Sequence, residues 1–411
     1  MHSIFIEKPY QFVPPFKVRW PQKLFTKLGL YQRTLRRREG VFTCEIRNSD
    51  RLSKSISAGH GVLVTPNHPR LADPISTYNL IAEVNSPFYT MASWHLFNQG
   101  AFAKFMLRVT GAFSVNREGM DRTAIDFAIN VLKTAERPLV IFPEGTTSRT
   151  NDRLMTFMDG PAFIARTAAK RRAKEELGSG KVVVHPIAIK YVFRGDIEAR
   201  ADHVLSQIEK RLSWSSQRDM PLIDRIIKVG DALLSIKELE YKCPVVEGAT
   251  HRERQNNMVN HLMNPLEEEW LGGPQEGGIQ MRVKNLRVKI FPDMTTDTLS
   301  VAERKRRWEQ LDRTYLAQQV DCYPEQYLTE RPTVDRILET IEKFEEDFLG
   351  TYPLHGDLHA VIDVGEAIEV PTRREKGGEG EPLMNQIRDS IEVMLEGLAD
   401  ESKMYVRSTE K

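Results

Sequence analysis

The segment Asn67-His68-Pro69-Arg70-Leu71-Ala72-Asp73-Pro74 sets an imidazole and a carboxylate five positions apart, directly after the apolar run 61–64. A neutral imidazole is the usual general base near neutral pH. A carboxylate on its other ring nitrogen holds the tautomer and stabilises the imidazolium that forms. Such a pair takes a proton from an alcohol. On an uninterrupted helix residues five apart diverge by about 140°, so the pair needs a bend. Pro69 and Pro74 supply one, since proline fixes its own φ and biases the residue before it away from helix. A lone His and Asp at this spacing equally fits a surface histidine beside a turn. A second segment favours chemistry: Phe142-Pro143-Glu144-Gly145-Thr146-Thr147-Ser148-Arg149 follows the apolar run 139–142 and ends in three hydroxyls and a cation.

Two further segments, Gly111-Ala112-Phe113-Ser114-Val115-Asn116-Arg117 and Val184-His185-Pro186-Ile187-Ala188-Ile189, complete a set. In chain order the four resemble the four blocks of the glycerolipid acyltransferase family, which includes the lysophosphatidic acid (1-acyl-glycerol-3-phosphate) acyltransferases. The resemblance implies that His68 deprotonates the acceptor hydroxyl while Asp73 orients the imidazole, and that the hydroxyl attacks an acyl thioester directly. It implies acyl-CoA or acyl carrier protein as donor, with no metal and no other cofactor. Arg117, Glu144, Gly145, Thr146, Thr147, Ser148 and Arg149 are the expected acceptor-binding residues, because a guanidinium forks onto phosphate oxygens with charge-assisted bonds. The family often carries arginine where this chain has Thr147, which shifts the cation to Arg149 or Arg153. Lysophosphatidic acid is the leading acceptor, with glycerol-3-phosphate or another lysolipid as alternatives.

Positioning these residues calls for a sheet. Apolar or alternating runs predict strands at 41–47, 61–65, 112–115, 139–142 and 182–193, and helical periodicity predicts helices at 76–84, 100–109, 121–135 and 160–174. Functional residues of open α/β sheets collect beyond the carboxyl ends of strands, which suits His68, Arg117 and Glu144. The expected fold class is α/β, a mixed sheet flanked by helices, with a largely helical insertion. Phe88, Met91, Trp94, Phe97, Phe102, Phe105 and Met106 are expected in the core first and in an acyl groove second. Lys170, Arg171, Arg172 and Lys174 fit a helix end on a solvated face, with a dock for an acidic carrier as the sharper alternative. His185 is expected to be a structural histidine.

Beyond Arg194 the resemblance lapses into charged helical patterns, such as Val334, Ile337, Leu338, Ile341, Phe344 and Phe348. It resumes at residues 360–368, a strand and glycine turn, followed by a charged glycine-rich loop at 376–381 and a helix at 383–398. The expected division is a basic amphipathic arm (1–40), a first part of the acyltransferase domain (41–196), a helical insertion (197–355) and a closing strand and helix (356–411). The insertion is left open as lid, membrane platform or self-association surface.

Composition bounds the partners. The chain has 411 residues and a net charge of +1, so attraction to a membrane or nucleic acid must come from local patches. One such patch is residues 1–38 of the arm, where Lys8, Lys17, Arg19, Lys23, Lys27, Arg33, Arg36, Arg37 and Arg38 face a single acid, Glu7, among Phe12, Phe16, Trp20, Leu24, Phe25, Leu28, Leu30 and Tyr31. A helix over 21–38 would lie in a lipid headgroup region. No recognition module points to nucleic acid. Cys44, Cys243 and Cys322 lack paired spacing and fit reduced thiols. No run has the roughly 18 apolar residues of a spanning helix, and the first residues lack a secretory pattern. The expectation is a cytoplasmic enzyme, peripheral on the membrane. A catalytically silent lipid-binding or scaffold protein of the same fold is the alternative from another class. A thioester hydrolase lacks the Gly-x-Ser-x-Gly elbow. The run His355-Gly356-Asp357-Leu358-His359 resembles a kinase-like catalytic loop but has Ile362 where a metal-binding asparagine would follow, and Gly178-Ser179-Gly180-Lys181 lacks P-loop spacing.

Overall fold

A computed structural model describes residues 6–175, 180–296, 298–322, 325–350, 353–373 and 380–406. The glycine-rich loop expected at 376–381 lies outside the described residues as far as residue 379, as do residues 178 and 179 of the P-loop-like run. Contacts divide the chain into two units. One holds the chain up to Val192 and again Gly356–Glu401, and the other holds Phe193–His355 and the residues from Ser402 on.

The first unit is built on one sheet. Its strands are β1 (Val41–Arg47), β2 (Gly61–Pro66), β3 (Tyr89–Ser93), β4 (Ala112–Val115), β5 (Leu139–Val140), β6 (Val182–Phe193), β7 (Leu358–Val364) and β8 (Ile368–Glu369). The order is β1-β7-β6-β2-β5-β3-β4, with β8 laid antiparallel on β6. The pairs β1 with β7, β2 with β6 and β5, and β3 with β5 and β4 are all parallel. Every residue of β2 and β6 is buried, which explains why both are apolar without alternation: helices cover both faces. Gly61 opens β2 because a Cβ there would stand 2.0 Å from the Leu132 carbonyl of the helix Arg122–Thr134. That helix, with Gly160–Lys174 and Pro382–Gly397, presses Ala128, Ile129, Leu132, Ile164 and Ile387 into a core shared with Leu63, Phe113 and Leu139.

The arm differs from its expectation. Instead of one helix over 21–38 there are two short helices, Trp20–Lys27 and Leu30–Thr34, parted by Gly29 at φ +62°, and then a π turn, Leu35–Glu39, closed by Gly40 at φ +68°. The outer strand β4 needs partners for its free edge, and the arm provides them. Ser114 N–H donates to the Val13 carbonyl at 3.0 Å and Val13 N–H donates to Ser114 Oγ at 2.7 Å. Further on, the buried Gln22 amide donates to the Phe88 and Thr110 carbonyls at 3.1 and 2.9 Å.

The strand β3 was not expected from the sequence. Its five residues, Tyr89–Ser93, are too few to show a period of their own.

The second unit is helical: Ile197–Arg211, Leu222–Glu240, His251–Leu271, Ile279–Ile290, Val301–Asp321, Glu325–Thr329 and Val334–Leu349. Ile337, Leu338, Ile341 and Phe344 are buried along the inner face of the last, as their spacing requires. Residues after Ser402 also belong here rather than with the sheet, since Val334 N–H donates to the Lys403 carbonyl and Tyr405 N–H to the Pro332 carbonyl at 2.9 and 2.8 Å. No helix among the described residues is long and apolar enough to cross a membrane.

Candidate active site

The chain leaves β2 at Pro66, and its next residues form the site. Opposite it β6 runs on: β2 pairs with β6 only as far as Ile187, so the polar backbone groups of Ile189 and Tyr191 have no strand beside them. Two asparagine amides substitute for the missing strand. Asn67 Nδ2 donates to the Ile189 carbonyl at 3.0 Å and its Oδ1 accepts Ile189 N–H at 2.7 Å. Asn151 makes the same pair with Tyr191, at 2.8 and 2.9 Å. Each amide presents a donor and an acceptor as a peptide group would, so the loops that follow β2 and β5 are both pinned to one strand. Asp152 adds an ion pair to the fully buried Lys190.

The bend expected at the two prolines is present. Residues 67–72 form a loop, and the helix Asp73–Glu83 starts at the aspartate, with Pro74 in its first turn. This folds Asp73 back under His68: Nδ1 lies 2.7 Å from Asp73 Oδ2. A carboxylate oxygen only accepts there, so Nδ1 carries the proton and Nε2 keeps its lone pair. Asp73 is fully buried, while the His68 side chain is 15% exposed. The same Oδ2 also accepts Arg70 N–H at 2.9 Å, and Oδ1 accepts the Tyr191 hydroxyl at 2.6 Å. The Arg70 guanidinium lies over the Tyr191 ring, 5.7 Å from its centre. Burial and the Asp73 charge raise the Tyr191 hydroxyl well above the ordinary tyrosine value, so it is a donor. The His68 ring also lies against Phe142, with centroids 4.3 Å apart.

The segment after β5 supports this dyad from behind. Glu144, expected among the acceptor-binding residues, is fully buried. Its Oε1 accepts His68 N–H at 2.6 Å and its Oε2 accepts Met155 N–H at 2.9 Å. It therefore sets the backbone of the histidine. Burial pushes its carboxyl up to about 7 against the downward pull of those two N–H groups. Ser148 is buried as well: its N–H donates to the His68 carbonyl at 2.8 Å, and its hydroxyl donates to the Thr150 carbonyl at 3.0 Å. Gly145 takes φ +68° with Met158 packed where a side chain would stand. Thr146, Thr147 and Arg149 are partly exposed on the same loop, Arg149 at φ +63°.

Arg117 lies apart from the dyad. It follows β4, three strands across from β2, or about 14 Å at ordinary strand spacing, and like His68 it lies beyond the carboxyl end of its strand. Asp121, which caps the helix Arg122–Thr134, shapes its loop by accepting Asn116 N–H at 3.0 Å. Burial, and secondarily the Arg117 charge, lower His95 to about 4, leaving it neutral beside the guanidinium.

Tyr191, Asn151 and His95 were not among the residues expected from the sequence, and no local pattern marks them. Their partners lie far off in the chain or on a strand too short to predict. His185 is structural, with Nδ1 3.0 Å from the Gly365 carbonyl and Nε2 2.9 Å from Ser55 Oγ. Of the apolar residues from 88 to 106, Phe88 and Phe97 are buried, whereas Phe102 and Phe105 are 76% and 53% exposed. Among the described residues no group of His, Cys, Asp and Glu is arranged to hold a metal ion.

Residues 44–190 match the family model described as Acyltransferase. A 1-acyl-sn-glycerol-3-phosphate acyltransferase of Streptococcus pneumoniae (strain ATCC BAA-255 / R6) is 36% identical over 110 residues, which make up 27% of this chain and 38% of that protein. The likeness thus spans well under half the length of either.

Proposed function

Since residues 44–190 are a domain of the glycerolipid acyltransferase family, we propose that the protein acylates a phosphate-bearing glycerolipid, lysophosphatidic acid first among them, with acyl-CoA or acyl carrier protein as donor. The observation that carries this reading is the short His68–Asp73 contact at the open end of the sheet. His68 Nε2 accepts the proton of the acceptor hydroxyl as its oxygen attacks the thioester carbonyl. The carbon–sulfur bond then breaks and the leaving sulfur takes the proton from the imidazolium. Asp73, bound by Tyr191 and Arg70 N–H, steadies the ring and its transient charge. Arg117 and Arg149 hold the acceptor phosphate, and Glu144 and Ser148 act by positioning.

A lipid acceptor requires a lipid surface. Trp20 and Leu24 on the first helix and Leu28 just after it are exposed beside Lys23 and Lys27, and Phe102 and Phe105 are exposed beside Lys104. The two sets are linked, since Phe16 N–H donates to the Arg108 carbonyl and the Phe16 ring packs on Phe105 at 5.8 Å. Apolar side chains rimmed by lysines suit an anionic bilayer surface.

The test is transfer from a radiolabelled acyl thioester to glycerol-3-phosphate, lysophosphatidic acid, lysophosphatidylcholine and water. His68→Ala should lower turnover by about 10³-fold with unchanged thermal stability. Arg117→Ala should raise the acceptor KM. Full activity in a well-folded His68→Ala protein would remove the base. No transfer from either donor to any acceptor would favour a lipid-binding scaffold.

A further inference from the structure

On the β4 side of the sheet two polar residues stand side by side. In the parallel pairing of β3 with β4, Thr90 faces Ala112 and Ser93 faces Val115, so partners differ by 22 in number. Carried two residues past the strand ends, that register sets His95 against Arg117 on neighbouring strands, about 5 Å apart. The Arg117 charge acts on the His95 ring, as this placement requires. In the sheet β3 lies between β5 and β4. His95 therefore stands between the loop of Thr146 and Thr147, which follows β5, and Arg117, which follows β4. From the end of β2, where His68 sits, it is two strands away, or about 10 Å.

Neither side chain is fully engaged by the fold. The Arg117 guanidinium makes no hydrogen bond or ion pair with any described residue, and burial pulls it below the ordinary arginine value, with the Glu118 charge opposing. A recessed cation without a hydrogen-bonded partner is destabilising, and an anion beside it relieves that. His95, partly exposed, is the second residue of the short helix Trp94–Asn98. Its Nδ1 lies 2.8 Å from Ser93 Oγ, and its Nε2 bonds no described residue. With the Ser93 hydroxyl donating to Nδ1, the ring hydrogen sits on Nε2, ready for an incoming oxygen. The helix itself is fixed to β4 through the arm. Trp94 meets the Tyr10 ring at 82°, with centres 5.4 Å apart, and the Tyr10 hydroxyl lies 3.1 Å from Ser114 Oγ.

Charge decides what this pair takes. The short helix packs against β3, β4 and the helix Ala101–Val109, and most of the titratable groups there are turned elsewhere. Arg108 bonds the Pro14 carbonyl and covers the Phe16 ring, Lys104 is exposed, Tyr89 donates to Glu136, and Tyr10 bonds Ser114. Glu118 acts on Arg117. Arg117 is thus the charge that bears on His95, and it holds the ring neutral, since two cations there would repel. A phosphate monoester between them reverses the field, because its two negative charges favour the imidazolium.

We propose that His95 is a second ligand of the acceptor phosphate, its Nε2 donating to an oxygen of the group that Arg117 holds, and that the ring takes up a proton as that group arrives. The role rests on the acyltransferase reading of the site and adds a preference to it. A monoester such as lysophosphatidic acid brings the second charge that draws the proton; a diester such as lysophosphatidylcholine does not. The sign follows. The ligand-free ring is neutral above about pH 4, and the bound ring keeps its proton to a higher pH. Between the two values binding takes up one proton, so affinity for the monoester falls as pH rises through the bound value.

The experiment is NMR of the full chain labelled at the histidine rings, from pH 5 to 8, with the His95 signal assigned by its loss in His95→Gln. Short-chain lysophosphatidic acid is the probe, beside lysophosphatidylcholine of the same chain length and coenzyme A. His95 should stay neutral alone and with the diester, and should titrate within this range with the monoester. In the transfer assay His95→Gln, which keeps an N–H but cannot gain a proton, should raise the lysophosphatidic acid KM about tenfold at pH 6 and less at pH 8. The proposal is overturned if the ring stays neutral with the monoester while Arg117→Ala still raises the acceptor KM, which leaves the acceptor reading standing. A shift produced by coenzyme A and not by the monoester assigns the pair to the donor and also overturns it. No shift with any probe, together with an Arg117→Ala protein that behaves as wild type, removes the phosphate site itself.

Discussion

At the scale of single residues the dyad depends on the buried groups packed behind it. Tyr191 is the clearest, because its hydroxyl and Arg70 N–H share the Asp73 carboxylate with the imidazole. Tyr191→Phe removes a hydrogen bond to a buried charged acceptor, a loss of about 1.5–3 kcal/mol. The expected outcome is a kcat about tenfold lower with unchanged substrate KM and a reduced melting temperature. A change in KM alone would mean that Tyr191 works on the substrate and not through Asp73. Glu144 makes a prediction in pH. Its folded value, about 7, lies above its ordinary 4.5. The native state therefore keeps a proton that the unfolded chain has already lost across that interval. The contribution to stability is complete below about pH 4.5 and is lost as pH rises through 7. Melting temperature measured across pH 4–8 for wild type and Glu144→Gln should show the wild-type advantage shrinking as pH rises. Parallel curves would refute the assignment.

Between residue and fold stand the elements, and here the overhang of β6 matters most. β2 stops at Pro66 while β6 continues to Phe193, and the uncovered stretch receives Asn67 and Asn151 in place of a strand. Both functional loops depend on it. Asn151→Ala would leave a buried N–H and carbonyl of Tyr191 without partners, costing about 2 kcal/mol or more. It should also lower kcat, because Tyr191 carries Asp73. Urea unfolding and steady-state kinetics on the same variant test this, and a loss of stability with unaltered kcat would separate the strand from the chemistry. The dyad, five of the strands and a helix expected at 76–84 and found at Asp73–Glu83 were legible in the sequence, since prolines and apolar runs are local signals. The asparagine clamps were not, because they pair residues more than a hundred positions apart in one case and forty in the other.

For the whole molecule the question is how a chain of net charge +1 finds lipid. The answer proposed above is local: exposed Trp20, Phe102 and Phe105 with lysines around them. Wild type should float with vesicles containing anionic lipid and detach as salt rises, since screening removes the lysine contribution. The triple change Trp20→Ala, Phe102→Ala, Phe105→Ala should stay in the soluble fraction at every salt concentration. Equal flotation of both proteins would place lipid contact elsewhere. Phe102 and Phe105 had been expected in the core or in an acyl groove. Helical spacing alone does not distinguish a face turned to the core from one turned outward.

What the sequence determined by itself were the features with short range or fixed order: the dyad and its bend, the four blocks, the buried strands, a late strand expected at 360–368 and found at Leu358–Val364, and the helix that follows it. Each rests on a local propensity or on residue types that the chemistry demands. The tertiary structure alone decided which side chains complete the site, because Tyr191, Asn151 and the two N–H groups on Glu144 are brought together by sheet register and not by spacing. It also split the expected helix of the arm in two and laid Val13 against the outer strand β4, since an unpaired strand edge is costly and the arm was the segment within reach.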